Sequence, residues 1–127
     1  MFITHLHVYC RELEPSLEFM LKGLKGKLLC RRLMMGTPGA EIQFDGFIIY
    51  LKEIGTDWVD PEPGAKITGY HHLGFDVEDL DASMKELLAM PGVRLEAEPT
   101  VVKARNRRCA FFYGPGNLYF ELVEDLK

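Results

Sequence analysis

The chain has 127 residues, of which 47% are hydrophobic, and a formal net charge of −4 at pH 7. This length fits one compact domain or two small halves that depend on each other, and the hydrophobic share is enough for a core. The acidic balance argues against nucleic acid or an anionic membrane as a main partner, and no apolar run approaches the roughly 18–20 residues of a membrane span. The first residues lack the pattern of a secretory signal, and the three cysteines have no CxxC spacing, which together favour a cytoplasmic protein with free thiols.

The first half of the chain predicts a strand, a helix and three more strands. The first strand contains His5-Leu6-His7. A helix follows, because Leu17, Met20, Leu21 and Leu24 recur at helical spacing. Strands are then predicted over 27–34, 40–44 and 47–53, separated by turns rich in glycine.

The second half predicts the same series of elements. A linker over 55–66 contains Pro61, Pro63 and Gly64, and the next strand contains His72-Leu73. Met84, Leu87 and Leu88 recur at helical spacing. Three further strands are predicted over 94–102, 107–113 and 118–124.

The two halves are an internal repeat. Moving 67 positions along the chain takes His5-Leu6 to His72-Leu73, and moving 71 positions takes Tyr50 to Glu121. Such self-similarity indicates a repeated structural unit. We therefore predict a single α+β domain, 1–127, built from two βαβββ repeats (1–54 and 67–127) that form a half-open barrel around a shared cleft.

Histidines and a glutamate at strand positions predict a metal site. Residues i and i+2 of a strand share a face, so His5 and His7 point the same way, whereas His71 is expected to point away from His72. Glu121 lies in an apolar run, where an unpaired carboxylate is costly to bury. Each residue alone is more typical of a surface or hydrogen-bonded position, but two imidazoles and one carboxylate are typical of catalytic zinc and non-haem iron sites. His5, His72 and Glu121 are therefore predicted to hold one divalent metal ion.

Three motifs resemble the vicinal-oxygen-chelate superfamily over the whole chain: Thr4-His5-Leu6-His7-Val8, the stretch 70–77 and the stretch 111–122. That superfamily includes glyoxalase I, methylmalonyl-CoA epimerase, fosfomycin-resistance thiol transferases, extradiol dioxygenases and bleomycin-binding proteins. The resemblance implies the glyoxalase/bleomycin resistance/dioxygenase fold, with a zinc, iron, nickel, manganese or cobalt ion. It also implies that the ligand positions are His5, Tyr50, His72 and Glu121.

The chain departs from each characterised pattern within that superfamily. Glyoxalase I has glutamate or glutamine at the position of Tyr50, and a neutral phenol with a pKa of about 10 is a poor metal ligand. The remaining His-His-Glu set is similar to that of extradiol dioxygenases and fosfomycin transferases. However, the stretch 103–107 lacks the histidine of the former, and the lysine and serine cluster of the latter is missing.

Two functions follow as alternatives. The first is a metal-dependent lyase, isomerase or dioxygenase acting on a small oxygen-chelating substrate. His7 is its candidate catalytic acid or base, because an ordinary histidine pKa of about 6.5 suits that work. The second is a small-molecule binding or resistance protein that uses the same cleft without catalysis. The predicted cleft residues are Tyr50, Arg107, Phe111 and Tyr119.

The sequence also predicts the assembly. A chain this small with open sheet faces favours association, and twofold dimers are the commonest outcome. We therefore expect a homodimer with two equivalent metal sites, with or without exchange of halves between chains.

Overall fold

The computed structural model describes residues 1–54 and 69–127, so the predicted linker lies outside the described residues. The chain divides into two compact units, Met1–Asp60 and Pro61–Lys127, and each has its own sheet. No helix among the described residues is both long and apolar enough to cross a membrane.

The first unit is a four-stranded sheet with one helix. Its elements are β1 (His5–Cys10), α1 (Leu13–Glu18) continued by one π-helical turn (Phe19–Gly23), β2 (Lys27–Met34), β3 (Thr37–Phe44) and β4 (Phe47–Glu53). The strand order is β1-β4-β3-β2. Strand β1 runs parallel to β4, and the other pairs are antiparallel.

The core of the first unit lies between the helix and one face of this sheet. Its most deeply buried side chains are Leu17, Phe19, Met20, Ile42, Ile49 and Leu51. Burying each of them stabilises the unit by roughly 1.5–3 kcal/mol. Because side chains alternate along β4, Tyr50 and Lys52 point to the opposite face of the sheet.

The second unit repeats the arrangement. Its elements are β5 (Leu73–Asp76), α2 (Leu80–Leu88), β6 (Arg94–Leu95), β7 (Thr100–Val102), β8 (Arg107–Tyr113) and β9 (Tyr119–Asp125). The order is β5-β9-β8-β6, with β7 also paired to β8. Asp79 is the N-cap of α2, and its carboxylate accepts a hydrogen bond from the Ala82 N–H at 2.9 Å.

The core of the second unit is built from aromatic and aliphatic side chains on the helix-facing side. The most buried are Leu80, Leu87, Ala110, Phe112, Phe120 and Leu122. The rings of Phe112 and Phe120 stack with their centroids 6.4 Å apart. Alternation along β9 therefore turns Glu121 to the other face.

The strand registers confirm the repeat. Leu6 pairs with Ile49 in the first unit, and Leu73 pairs with Phe120 in the second. These residues are equivalent by the two sequence offsets. The predicted α+β fold with two βαβββ units is confirmed.

The prediction of one continuous strand over 94–102 is wrong, because the structure has two shorter strands there, β6 and β7. Five positions separate Leu95 from Thr100, whereas only three separate their partners Phe112 and Cys109 on β8. Two extra residues must therefore leave the ladder. Pro99, which has no N–H to donate, lies in this interruption.

The three cysteines are free thiols, as predicted. Cys10 and Cys109 are buried in the two units, and Cys30 is exposed on β2. Burial raises the pKa of the Cys10 thiol to about 11, which makes it unreactive at neutral pH.

Strand β2 forms one edge of the first sheet. All of its residues except Met34 are exposed. It carries Lys27, Arg31 and Arg32 together with the exposed apolar side chains Leu29 and Leu33. Arg31 forms an ion pair with Glu14 of α1.

Candidate metal centre

In the second unit, His72 and Glu121 meet on the sheet face that the helix does not cover. His72 directly precedes β5, and its Nε2 lies 3.1 Å from Oε2 of Glu121 in β9. Gly74, which pairs with Glu121 across the ladder, leaves room for this carboxylate, because a Cβ added at Gly74 would lie only 3.1 Å from the same Oε2. Both side chains are partly buried, which favours a fixed geometry.

The chemistry and spacing of this pair suit a divalent metal ion. Two ligand atoms that each lie about 2.0–2.2 Å from one ion are about 2.8–3.6 Å apart when the angle between them is near 90–109°. The observed separation of 3.1 Å falls in that interval. Within either unit, the described residues contain no group of three or more metal-ligating side chains. The structure thus brings together two of the three predicted ligands in one unit.

His71 also lies beside this pair, so the prediction that it points to the opposite face is wrong. Its Nδ1 is 2.7 Å from Nδ1 of His72, and its ring lies edge-on to Tyr119 at 5.4 Å. The physical reason is that β5 begins only at Leu73, so strand alternation does not apply to the two histidines before it.

Aromatic rings lie around His72, because side chains alternate along β8 and β9 and turn Phe111 and Tyr119 to the same face as Glu121. The ring of Phe111 lies 4.9 Å from His72, and that of Tyr119 lies 6.0 Å away. The Tyr119 hydroxyl donates to Oε2 of Glu96 at 2.6 Å. Desolvation and this carboxylate raise the pKa of the Tyr119 phenol, so it stays protonated as a hydrogen-bond donor. No sequence pattern indicates Glu96, which follows β6 where the predicted strand is interrupted.

Arg107 lies on the same face of β8 as Phe111, but its charge is already paired. Its Nε is 2.6 Å from Oδ1 of Asp125, and its Nη1 is 3.9 Å from Oδ1 of Asp76. Its predicted place in the substrate cleft stays a prediction.

In the first unit, His5 and His7 share a face with Tyr50. The His5 ring stacks on Tyr50 at 4.0 Å with 13° between the planes, and the His7 ring meets Tyr50 edge-on at 5.8 Å. His7 pairs with Tyr50 across the ladder. The predicted common orientation of His5 and His7 is confirmed, with their rings 6.4 Å apart. Oγ1 of Thr4 lies 2.8 Å from Nδ1 of His5, which holds the imidazole through that nitrogen.

Tyr50 also contacts Arg32 of β2. The Arg32 guanidinium lies 5.2 Å from the centre of the Tyr50 ring. Nε of Arg32 donates to Oε2 of Glu41 at 2.7 Å. Tyr50 is thus positioned by its ring contacts with His5, His7 and Arg32.

The environment of His7 favours its neutral form. Desolvation, and then the positive charges of His5, Lys52 and Arg32, lower the pKa of His7 below its ordinary value. The imidazole is therefore more completely neutral at pH 7 than that of a free histidine, as a proton acceptor requires.

Comparisons with known proteins identify the fold. No protein-family model matches the sequence, and no curated protein matches it significantly. A glyoxalase family protein from Bacillus cereus has a similar structure, with a TM-score of 0.81 and 20% identity over 100% of this chain and 95% of that one. A glyoxylase/bleomycin resistance protein/dioxygenase domain from Frankia sp. gives a TM-score of 0.74 and 24% identity over 98% of each chain.

A third similar structure contains a metal ion. It is the genomically encoded fosfomycin resistance protein of Listeria monocytogenes complexed with Mn(II) and sulfate. Its TM-score is 0.70 and its identity 16%, over 96% of this chain and 90% of that one. At these identities the comparisons establish the fold and leave the activity open. The chain has the glyoxalase/bleomycin resistance/dioxygenase fold.

Proposed function

We propose that the protein is a metal-dependent enzyme of the vicinal-oxygen-chelate superfamily that acts on a small oxygen-chelating substrate. The observation that carries this is the 3.1 Å approach of His72 Nε2 to Glu121 Oε2 on the uncovered sheet face. His5 occupies the equivalent position of the first repeat and is proposed as the third ligand. The reaction is proposed to be of the lyase, isomerase or dioxygenase type.

The residues around these ligands have distinct proposed roles. A bound divalent ion would supply Lewis-acid stabilisation of negative charge on substrate oxygens. His7, held neutral by its surroundings, accepts a proton from the substrate. Phe111 and Tyr119 exclude water beside His72, and the hydrogen bond from the Tyr119 hydroxyl to Glu96 holds that ring in place.

The identity of the metal is proposed from the donor set and one structural neighbour. Imidazole and carboxylate ligands suit zinc, iron, nickel, manganese and cobalt. The Listeria protein was crystallised with Mn(II), which supports manganese as the first ion to test.

Calorimetric titration of the metal-stripped protein tests the proposal. We expect one Mn(II) or Zn(II) ion to bind per chain, and activity toward a dicarbonyl, catechol or acyl-CoA substrate to depend on it. Protein that binds none of the five candidate ions at millimolar concentration would show that the proposal is wrong.

A second candidate function is small-molecule binding without catalysis. The aromatic side chains that favour it are Phe111 and Tyr119 in the second unit and Tyr50 in the first. Rigid aromatic rings supply much of the contact area in binding sites for small molecules. Ligand binding that persists unchanged after the metal is removed by a chelator would favour this function.

Replacing Tyr50 by glutamate should tighten metal binding. A carboxylate adds negative charge and a hard oxygen donor at the fourth ligand position implied by the repeat. We expect about a tenfold gain, equivalent to about 1.4 kcal/mol. The measurement is the same calorimetric titration.

The matched control is Tyr50→Phe, which keeps the ring that stacks on His5 and removes only the hydroxyl. Its metal affinity should equal that of the unmodified protein. A drop in affinity with Tyr50→Phe would mean that the phenol oxygen itself binds the ion.

The protein should form a homodimer in solution. Sedimentation equilibrium at micromolar concentration should give twice the chain mass of 14.5 kDa. A mass equal to that of one chain, constant across the concentration range, would contradict the dimer.

A further inference from the structure

Lys52 is a buried cation on the face of the first sheet opposite the helix. It lies two residues after Tyr50 in β4, so both side chains point to the same face. Only 7% of its surface is exposed. Lysine is almost never buried this deeply without a charged partner.

The partners of the Lys52 ammonium among the described residues are neutral. Its Nζ donates to the backbone carbonyl of Glu53 at 3.4 Å and lies 5.6 Å from the centre of the Tyr9 ring. An ammonium group has three N–H donors, so one long hydrogen bond leaves capacity for more. The Glu53 carboxylate is engaged elsewhere, because its Oε2 accepts from the Leu13 N–H at 3.0 Å.

The other charges on this face do not neutralise Lys52. Arg32 is paired with Glu41 at 2.7 Å, so these two charges cancel each other. Lys52 therefore leaves a net positive charge on this face. Keeping a buried cation without an anionic partner is unfavourable, and a bound anion removes the penalty.

We propose that this face binds a small oxyanion group, carboxylate or phosphoryl, through the Lys52 ammonium, with Tyr9 and His7 beside it. The inference rests on the proposed function, because the oxyanion would be part of the substrate of that reaction. The substrate would therefore be anionic. The contact itself requires no metal ion.

Lys52 suits this role better than Arg107, the one cationic side chain among the predicted cleft residues. Arg107 already contacts two carboxylates, those of Asp125 and Asp76, which would compete with an incoming anion. Lys52 has no ion pair among the described residues, so no carboxylate among them competes with an incoming anion for it.

The test is calorimetric titration of the metal-stripped protein with inorganic phosphate and, separately, with acetate. Lys52→Met keeps the aliphatic stem and removes the charge, so it should lower the affinity for the preferred anion at least about tenfold. The matched control is Lys22→Met, because Lys22 is an exposed lysine that pairs with Glu18 on the helix. That variant should bind the anion as the unmodified protein does.

Thermal unfolding supplies a second readout. Phosphate or acetate should raise the unfolding midpoint of the unmodified protein and of Lys22→Met, but not that of Lys52→Met. Without anion, Lys52→Met should be at least as stable as the unmodified protein, because it no longer buries a charge. If Lys52→Met does not fold, Lys52→Gln takes its place in both measurements.

Equal anion affinity in Lys52→Met and the unmodified protein, or no anion binding by either, would overturn the inference. Titration of Lys52→Met with Mn(II) separates this outcome from a failure of the proposed metal site. Unchanged metal binding with lost anion binding supports the inference. If the unmodified protein binds no metal ion, that result contradicts the proposed function and not the anion site.

Discussion

Replacing Glu121 by glutamine should lower the affinity for a divalent metal ion by about a hundredfold or more. Changing a residue that only hydrogen-bonds to a metal ligand typically lowers metal affinity 10–100-fold. Changing a ligand itself should therefore lower metal affinity by at least about a hundredfold. Glutamine keeps the size of the side chain and removes the negative charge that lies 3.1 Å from His72 Nε2. Calorimetric titration with Mn(II) or Zn(II) measures the loss.

Glu124→Gln is the matched control for this substitution. Glu124 lies three residues further along β9 and points to the opposite face, where its Oε2 is 3.8 Å from Nη1 of Arg108. The same chemical change there should leave metal affinity unaltered. Equal affinities for Glu121→Gln and the unmodified protein would remove Glu121 from the proposed ligand set.

Replacing Phe112 by alanine should destabilise the protein by about 3–5 kcal/mol, the cost of a large cavity in a core. Phe112 is only 2% exposed and stacks on Phe120 inside the second unit. A domain of this size has about 5–15 kcal/mol of total stability, so this one change removes a large part of it. Urea denaturation followed by circular dichroism gives the free energy of unfolding.

The neighbouring substitution Phe111→Ala provides the comparison. It removes the same atoms from the adjacent residue, which faces His72 and is only partly buried. We expect less than half of the destabilisation caused by Phe112→Ala, because less apolar surface leaves the core. If Phe111→Ala cost more, our assignment of the two faces of β8 would be incorrect.

The repeat is the reason that so much of the fold could be predicted from the sequence. Two offsets, one linking His5 to His72 and one linking Tyr50 to Glu121, relate the first and last strands of the two units, and the strand registers follow the same equivalence. A period-2 pattern then determines which side chains face the helix. Local sequence is sufficient for both because they depend only on spacing.

Features that depend on exact strand ends or on contacts across the sheet could not be predicted in this way. Spacing alone does not show that β5 begins after His72, and this is what brings His71 to the same side. The burial of Lys52 and the pairing of Tyr119 with Glu96 arise from residues far apart in the chain. A single sequence contains no periodic signal for such contacts.

The exposed strand β2 bears on how the protein behaves at high concentration. A free strand edge offers unpaired N–H and C=O groups on which another molecule can extend the sheet, and the eight residues of β2 make a long edge. Such an extension would have to strip water from Lys27 and from the ion pairs of Arg31 and Arg32. The basic residues of β2 therefore act against edge-to-edge polymerisation, although Leu29 and Leu33 lie exposed beside them.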